Sequence, residues 1–331
     1  MSTTFRIATF NVENLDDPSV PPLAERIAVM RPQLERLRPD VLCLQEVHGQ
    51  EQPGQPRRLL ALEQLLTGTQ IAGYYQESTQ TLNHPQVYDK RNLVILSRFP
   101  IVDRKQIKHE YVSAPAYKKV TADPEEAAAD EVTWERPILY VKTTLPDGSV
   151  LHVINLHLKS KIPSKIPGQG GQQSDNYAWK SVPGWAEGYF LSSLKRVGQA
   201  LEARVLIDSV FDEAEDAQIA VCGDFNADLD AVPVKAIRGD VEETANGALA
   251  TRVLVPCEHT IPEPSRFSLY HHGKGQMLDH LLVSRSLLSS YRGSEIHNEL
   301  LHDESIAFAR DTQFPESDHA PVVAEFVKPD D

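Results

Sequence analysis

Several apolar runs of this sequence end abruptly in carboxylate, amide or imidazole groups. They are TFNVEN (Asn11, Glu13), VLCLQEV (Gln45, Glu46), INLHLKSK (His157, Lys159), VCGDFNAD (Asp224, Asn226), MLDHLLVS (Asp279) and SDHAPV (Asp318, His319). Glu46 and Asp318 are hard oxygen donors of the kind that holds Mg²⁺, which keeps several waters and takes few carboxylates plus substrate phosphate. Asp224 and Asn226 pair a carboxylate that orients and deprotonates water with an amide that binds a phosphate oxygen without adding negative charge. His157 and His319 are candidates for stabilising phosphoryl oxygens and protonating a leaving oxygen. A carboxylate partner such as Asp279 would fix the tautomer and favour the cation. Each stretch alone has a plain alternative: a surface ion pair, a Gly-Asp turn, or a structural histidine.

Such groups need elements that aim them together, and in open α/β sheets reactive side chains gather in a cleft beyond the strand ends. Strand-like runs recur at 5–10, 41–44, 93–96, 138–145, 150–158, 218–222, 278–283 and 321–327. Some alternate apolar and polar residues and others are continuously apolar, which fits half-exposed and fully buried strands. Helical spacing lies between them at 23–37, where Pro32 is expected to kink or divide the helix, and at 57–66, closed by Gly68. A third helix at 187–211 carries Leu191, Leu194, Val197, Leu201 and Val205, read as a core-facing stripe. No linker or repeat divides the chain, so one domain over 1–331 is expected, with surface insertions near 50–56, 121–131 and 159–186. The middle insertion is acidic and reads as a solvated loop.

As an ordered set, N-x-[ED], Q-E, I-L-S-R-x-P-I, H-L, G-D-x-N, L-D and S-D-H-x-P resembles the endonuclease/exonuclease/phosphatase superfamily. That group includes deoxyribonuclease I-like enzymes, abasic-site endonucleases, sphingomyelinases, inositol-polyphosphate phosphatases and deadenylases. The resemblance runs from Asn11 to His319. It implies an α/β fold, a four-layer α/β/β/α sandwich of two mixed β-sheets packed face to face with helices outside. By motif, it makes Glu46 the principal metal ligand, with Asn11 and Asp318 beside the metal. Asp224 matches the residue that activates the attacking water, and Asn226 its phosphate-orienting neighbour. His319 matches the histidine on the scissile phosphate, polarised by Asp279, and His157 a second phosphate-side histidine. Glu13 occupies a position that varies among members. One departure stands out: where members often have Asn-Gly, this chain has Lys90-Arg91-Asn92-Leu93. Either Arg91 or Asn92 could face substrate there, and arginine suits bidentate phosphate recognition.

Composition narrows the partner. A formal net charge of −14 argues against a protein that coats polyanions non-specifically, because that affinity comes from Lys and Arg releasing counterions. Local charge differs, since Lys159, Lys161 and Lys165 put positive groups next to His157, and HLKSK resembles bacterial nuclease branches of the superfamily. With 41% apolar residues a sizeable core is available. No stretch approaches the roughly 18 apolar residues of a membrane span, and the N-terminus lacks a signal-peptide layout, so a cytoplasmic protein is expected. Three cysteines form no closed disulfide set and read as reduced core thiols. The leading expectation is hydrolysis of a phosphodiester in DNA or RNA with Mg²⁺ (or Mn²⁺), and no obligate protein partner is evident. The alternative is a phosphatase or phosphodiesterase for a phosphorylated small molecule or lipid headgroup. A third reading, a non-catalytic binding module on the same fold, would be expected to have lost a metal or water-activating residue, and here each motif keeps its groups.

Overall fold

The apolar runs pair into two six-stranded mixed sheets. A computed structural model describes residues 3–170, 178–305 and 313–328. The first sheet takes β1 (Thr3–Leu15), β2 (Val41–Val47), β3 (Tyr75–Ser78) and β4 (Asn92–Ser97). The second takes β5 (Ile101–Ile107), β6 (Ile138–Thr144), β7 (Val150–His157), β8 (Gln218–Asp224), β9 (Val255–Pro256) and β10 (Asp279–Val283). The chain then returns to the first sheet with β11 (Tyr291–Ile296) and β12 (Val322–Lys328). Strand orders are β11-β12-β1-β2-β4-β3 and β9-β10-β8-β7-β6-β5. Each sheet has one parallel pair at its middle, β1 with β2 and β7 with β8, and its other pairs are antiparallel.

Both faces of the inner strands are buried, which is why they read as nearly continuous apolar runs. Phe5, Ile7, Val41 and Cys43 meet Val141, Val153, Ala220 and Cys222 in the core between the sheets. Their alternating neighbours face outward. Ala8, Phe10, Leu42 and Leu44 pack under α1 (Leu23–Leu37) and α2 (Leu60–Leu66). Ile154, Leu156, Ile219 and Val221 pack under α3 (Val182–Glu213) and α4 (Val232–Arg238). The result is the expected α/β/β/α sandwich. The three cysteines are buried free thiols, and no described helix is long and apolar enough to cross a membrane.

Four sequence expectations change. The helix of α1 continues through Pro32 rather than dividing there; the proline lies on the exposed face, where water can take the carbonyl it leaves unbonded. The helix expected from 57 begins at Leu60, because Gln55–Arg58 pairs with Gln50–Gln52 as a hairpin that makes up the first insertion. The acidic insertion is partly tied down, with Ala116–Tyr117 paired to Asp130–Glu131. The stripe on α3 is not a core face: Leu201 and Val205 are 48% and 36% exposed, while Ala200, Ala203, Ile207 and Val210 are buried on the sheet. Steps of three residues fall about 60° short of a full turn, so Leu194 and Val197 turn up to about 120° away from Leu191 and the stripe does not keep to one face. Leu191 itself packs in a separate cluster with Val132 and Ile166. Residues 171–177 of the third insertion lie outside the described residues.

Candidate active site

The two parallel pairs dictate where chemistry can collect. β1, β2, β7 and β8 end together at one edge of the sandwich, with Asn11, Glu46, His157 and Asp224 at or near those ends. Their antiparallel neighbours begin at the same edge, so Asp279 opens β10 while Asp318 and His319 lead into β12. All of these residues but Asp279, which is fully buried, line one cleft of about 510 Å³.

The backbone is bent to aim them. Glu13, Asn14, Glu46, Arg91 and Asn226, five of the nine non-glycine residues with positive φ among the described residues, line the cleft. Conformations that are costly elsewhere persist where surrounding structure fixes them. Arg26 does this for the end of β1, donating to the carbonyls of Val12 at 2.8 Å and Glu13 at 2.9 Å. Gly223 does it for β8. At its φ of +141° a Cβ would lie 1.9 Å from the Leu156 carbonyl oxygen, so only glycine lets β7 and β8 close before the Asp224 turn.

The side chains form one network. Asp279 Oδ2 lies 2.7 Å from His319 Nδ1, and both residues are buried. Asp224 Oδ2 accepts from Asn11 Nδ2 at 3.1 Å and from Asn226 Nδ2 at 3.0 Å, and lies 3.3 Å from His157 Nε2. His157 Nε2 is also 3.6 Å from Glu46 Oε1. Glu13 latches the C-terminal loop onto β1, its Oε2 accepting from the Asp318 amide at 3.0 Å.

Burial and charge push these groups apart. For His319, burial disfavours the cation, but Asp279 and Asp224 outweigh it and hold its pKa well above the ordinary value. For His157 burial acts with Arg136 and Arg91, and its pKa falls well below normal. Burial, seconded by Asp279, pushes Asp224 up to about 7 against the pull of His319. Asp318 is raised well above its ordinary value by burial, with Glu13 and Glu46 among the crowding carboxylates. Its Oδ1 is buried without a hydrogen-bond partner among the described residues. An oxygen-rich, overcrowded carboxylate set with an orphaned oxygen fits a hard divalent cation. Asp224, Asp279 and His319 also bring three ligand atoms within 4.8 Å of one another. Two members of that triad, Asp279 and His319, hydrogen-bond each other, and Glu46 and Asp318 are a second set that could hold the ion.

Other expected residues separate. Arg91 lines the cleft, whereas Asn92 is fully buried. The Asn92 amide donates to the Val47 carbonyl at 2.9 Å and accepts from the Tyr88 amide at 2.8 Å, so its contacts are structural and of the pair only Arg91 faces the cleft. Lys161 reaches the cleft rim but donates to Asp228 at 2.9 Å and Gln276 at 3.3 Å. Lys159 does not line the cleft; it faces an adjoining cavity with Lys165. Asn11 Oδ1 accepts from the Glu13 amide at 3.0 Å.

Arg136 was not anticipated. It is 7% exposed, lines the cleft, and makes one side-chain hydrogen bond among the described residues, to the His157 carbonyl at 3.5 Å. A signal existed: Arg136 stands just before β6, which is antiparallel to β7 and starts at the same edge.

Comparison with protein families decides the identity: the model described as Endonuclease/Exonuclease/phosphatase family matches residues 8–319. The chain belongs to this family. No curated protein matches it. Among solved structures, a family member from Bacteroides thetaiotaomicron superposes with a TM-score of 0.59 at 14% identity, covering 100% of both chains. D. rerio TDP2 complexed with single strand DNA product gives 0.53 at 15%, covering 98% of this chain and 99% of that one. An AP endonuclease from Archaeoglobus fulgidus gives 0.50 at 17%, covering 97% and 99%. At these identities the likeness concerns the fold. Within the family frame, a buried pair stands behind the Asp224–Asn226 turn of this member. His280 contacts Glu258 at 2.7 Å and the Ala227 carbonyl at 2.8 Å, and both ionisable side chains are wholly buried.

Proposed function

We propose that this family member is a divalent-metal-dependent phosphodiesterase whose substrate is DNA or RNA. The observation that carries the reading is the cleft itself. It joins a crowded carboxylate set, a carboxylate raised to about 7, a histidine held as the cation and two arginines at the ends of two sheets. Mg²⁺ or Mn²⁺, held by Glu46 and Asp318 with Asn11 beside them, would supply charge neutralisation at a non-bridging phosphoryl oxygen.

Asp224 is the base: a carboxyl near neutrality takes a proton from water with useful efficiency. Asn11 and Asn226 hold its Oδ2, and the Asn226 amide also donates to the Leu158 carbonyl at 3.1 Å, so it orients the base rather than facing a phosphoryl oxygen. As the new O–P bond forms and the leaving P–O bond breaks, His319 stabilises the added negative charge. It is also the group with a proton for the leaving oxygen. His157, kept neutral, places an N–H near the phosphate without competing with the cation. Arg136 and Arg91 neutralise the remaining phosphate charge.

Two of the structural neighbours support nucleic acid as substrate, one being complexed with single strand DNA product and one an AP endonuclease. A small-molecule phosphate remains the second reading, favoured by the net charge of −14 and by the ion pair that holds Lys161 to Asp228 at 2.9 Å. Supercoiled plasmid, single-stranded RNA, a model diester and a phosphomonoester, each tested with Mg²⁺ and Mn²⁺, separate the readings. Cleavage of nucleic acid that chelator abolishes, that added cation restores, and that Glu46→Gln loses with the fold intact is the expected result. Full activity in excess chelator would sink the metal-dependent mechanism.

A further inference from the structure

Glu135 is a lone carboxylate inside a cluster of cations. Its Oε1 lies 3.7 Å from Lys195 Nζ and 4.0 Å from Lys159 Nζ. Although burial raises its pKa, Lys159, Arg136, Lys195 and Arg91 hold it below the ordinary value. Lys159 is 7% exposed, and its ammonium has the Ser160 hydroxyl at 2.9 Å and the Ile162 carbonyl at 3.5 Å as hydrogen-bond partners. Burial, seconded by Arg136 and Lys195, brings it down to about 8. In a chain of net charge −14, several cations grouped on one carboxylate beside the cleft amount to a local excess of positive charge.

The geometry gives that charge a place to act. Lys159, Lys165 and Lys195 line a cavity of about 320 Å³ together with Glu135 and Ser164. The strip 159–165 is the partition between this cavity and the cleft. Ser160, Lys161 and Ile162 line the cleft, while Lys159, Pro163, Ser164 and Lys165 line the cavity. Helix α3 fixes the partition, Arg196 donating to the carbonyls of Lys159 and Ser160 at 2.9 Å each. The outer wall carries the exposed Asp130 and Glu131, and Lys119 is paired with Glu126. The positive end is therefore the inner one. Two residues of extended chain span at most about 7 Å, so Lys159 cannot be far from His157.

We propose that the inner end of this cavity is a second anion site, which receives the strand phosphate next to the scissile one. The site rests on the phosphodiesterase reading, and it makes the substrate a polyanionic strand rather than an isolated ester. Lys195, on α3 and absent from the catalytic cleft, is the residue that tests it. Lys195→Ala raises KM for a single-stranded oligonucleotide about fivefold, the effect of one partly exposed charge contact, with kcat kept. It also lowers the salt slope by about 0.7, Lys195→Glu does more, and Lys195→Arg restores wild-type values. Hydrolysis of bis(4-nitrophenyl) phosphate, which has one phosphate, stays unchanged in all three. A parallel arm measures binding of the same labelled oligonucleotide in chelator by fluorescence anisotropy, where the same order of variants is expected without turnover. Wild-type KM, affinity and salt slope in Lys195→Glu would overturn the second site. If the wild type cleaves no phosphoester, the phosphodiesterase reading fails, and the anisotropy series still decides whether the cavity binds strand phosphate.

Discussion

Two buried histidines within one cleft are driven in opposite directions, and the difference comes from the charges of their neighbours. His319 has Asp279 at 2.7 Å, while His157 faces Arg136 and Arg91. Pairs of titratable groups pushed apart in this way mark acid and base assignments. The sign of the pH dependence follows. Activity that needs the His319 cation is present below its pKa and falls as pH rises through it. Because Asp279 is the largest source of the upward shift, Asp279→Asn moves that fall in kcat/KM to lower pH. Asp279→Asn and His319→Ala each cost on the order of 10² in kcat, and the double variant costs much less than the product, because groups acting as a unit are non-additive. An unmoved alkaline limb with strictly multiplicative losses would show that the pair is not a unit. These residues were legible in the sequence because each stands at one end of an apolar run. Arg136 was not, since a guanidinium next to a strand start looks the same whether it faces water or a cleft.

At the scale of elements, legibility followed burial. All eight runs read from the sequence are inner strands, and β3, β5, β9 and β11, which were not read, are the four sheet edges. An edge strand is solvated on one side and carries charge against unwanted pairing; β5 reads IVDRKQI and half hides its pattern. The α3 stripe failed for a related reason, since spacing alone does not say which of two clusters a long helix meets along its length. Glycine carries element-scale information that spacing does not. Gly223→Ala must force β7 and β8 apart at the residue before Asp224. Backbone strain and a steric clash of that kind cost about 3 kcal/mol or more. We expect poor soluble yield, and in whatever folds a kcat loss exceeding any change in KM. Wild-type Tm and kcat would refute the account of this turn.

At the scale of the molecule, the chemistry is divided between the sheets. Glu46, Asp318 and Asn11, the proposed seat of the cation, belong to the first sheet or the loop entering it. Asp224, Asn226, His157 and Asp279 belong to the second. Their alignment therefore depends on how one sheet sits on the other, and an apolar interface by itself tolerates sliding better than a hydrogen-bonded one. A buried amide pair fixes the register directly beneath the cleft. Gln45 Nε2, one residue before Glu46, donates to Asn155 Oδ1 at 2.7 Å across the sheets. Asn155 Nδ2 donates in turn to the carbonyls of Leu44 and Val94 at 3.0 Å each, and both amide side chains are wholly buried. Asn155→Leu keeps the volume but removes the shortest acceptor of Gln45 and the shared donor of two buried carbonyls, at a cost of about 3 kcal/mol in a urea titration. The functional consequence is asymmetric. Metal affinity, measured by calorimetry, stays within about twofold because its ligands share one sheet, a change well under 1.4 kcal/mol. Turnover falls at least tenfold, since misplacing Asp224, the proposed base, by a fraction of an ångström removes alignment that is worth several kcal/mol. Equal losses in metal affinity and kcat would mean that the cation bridges the sheets and sets their register itself.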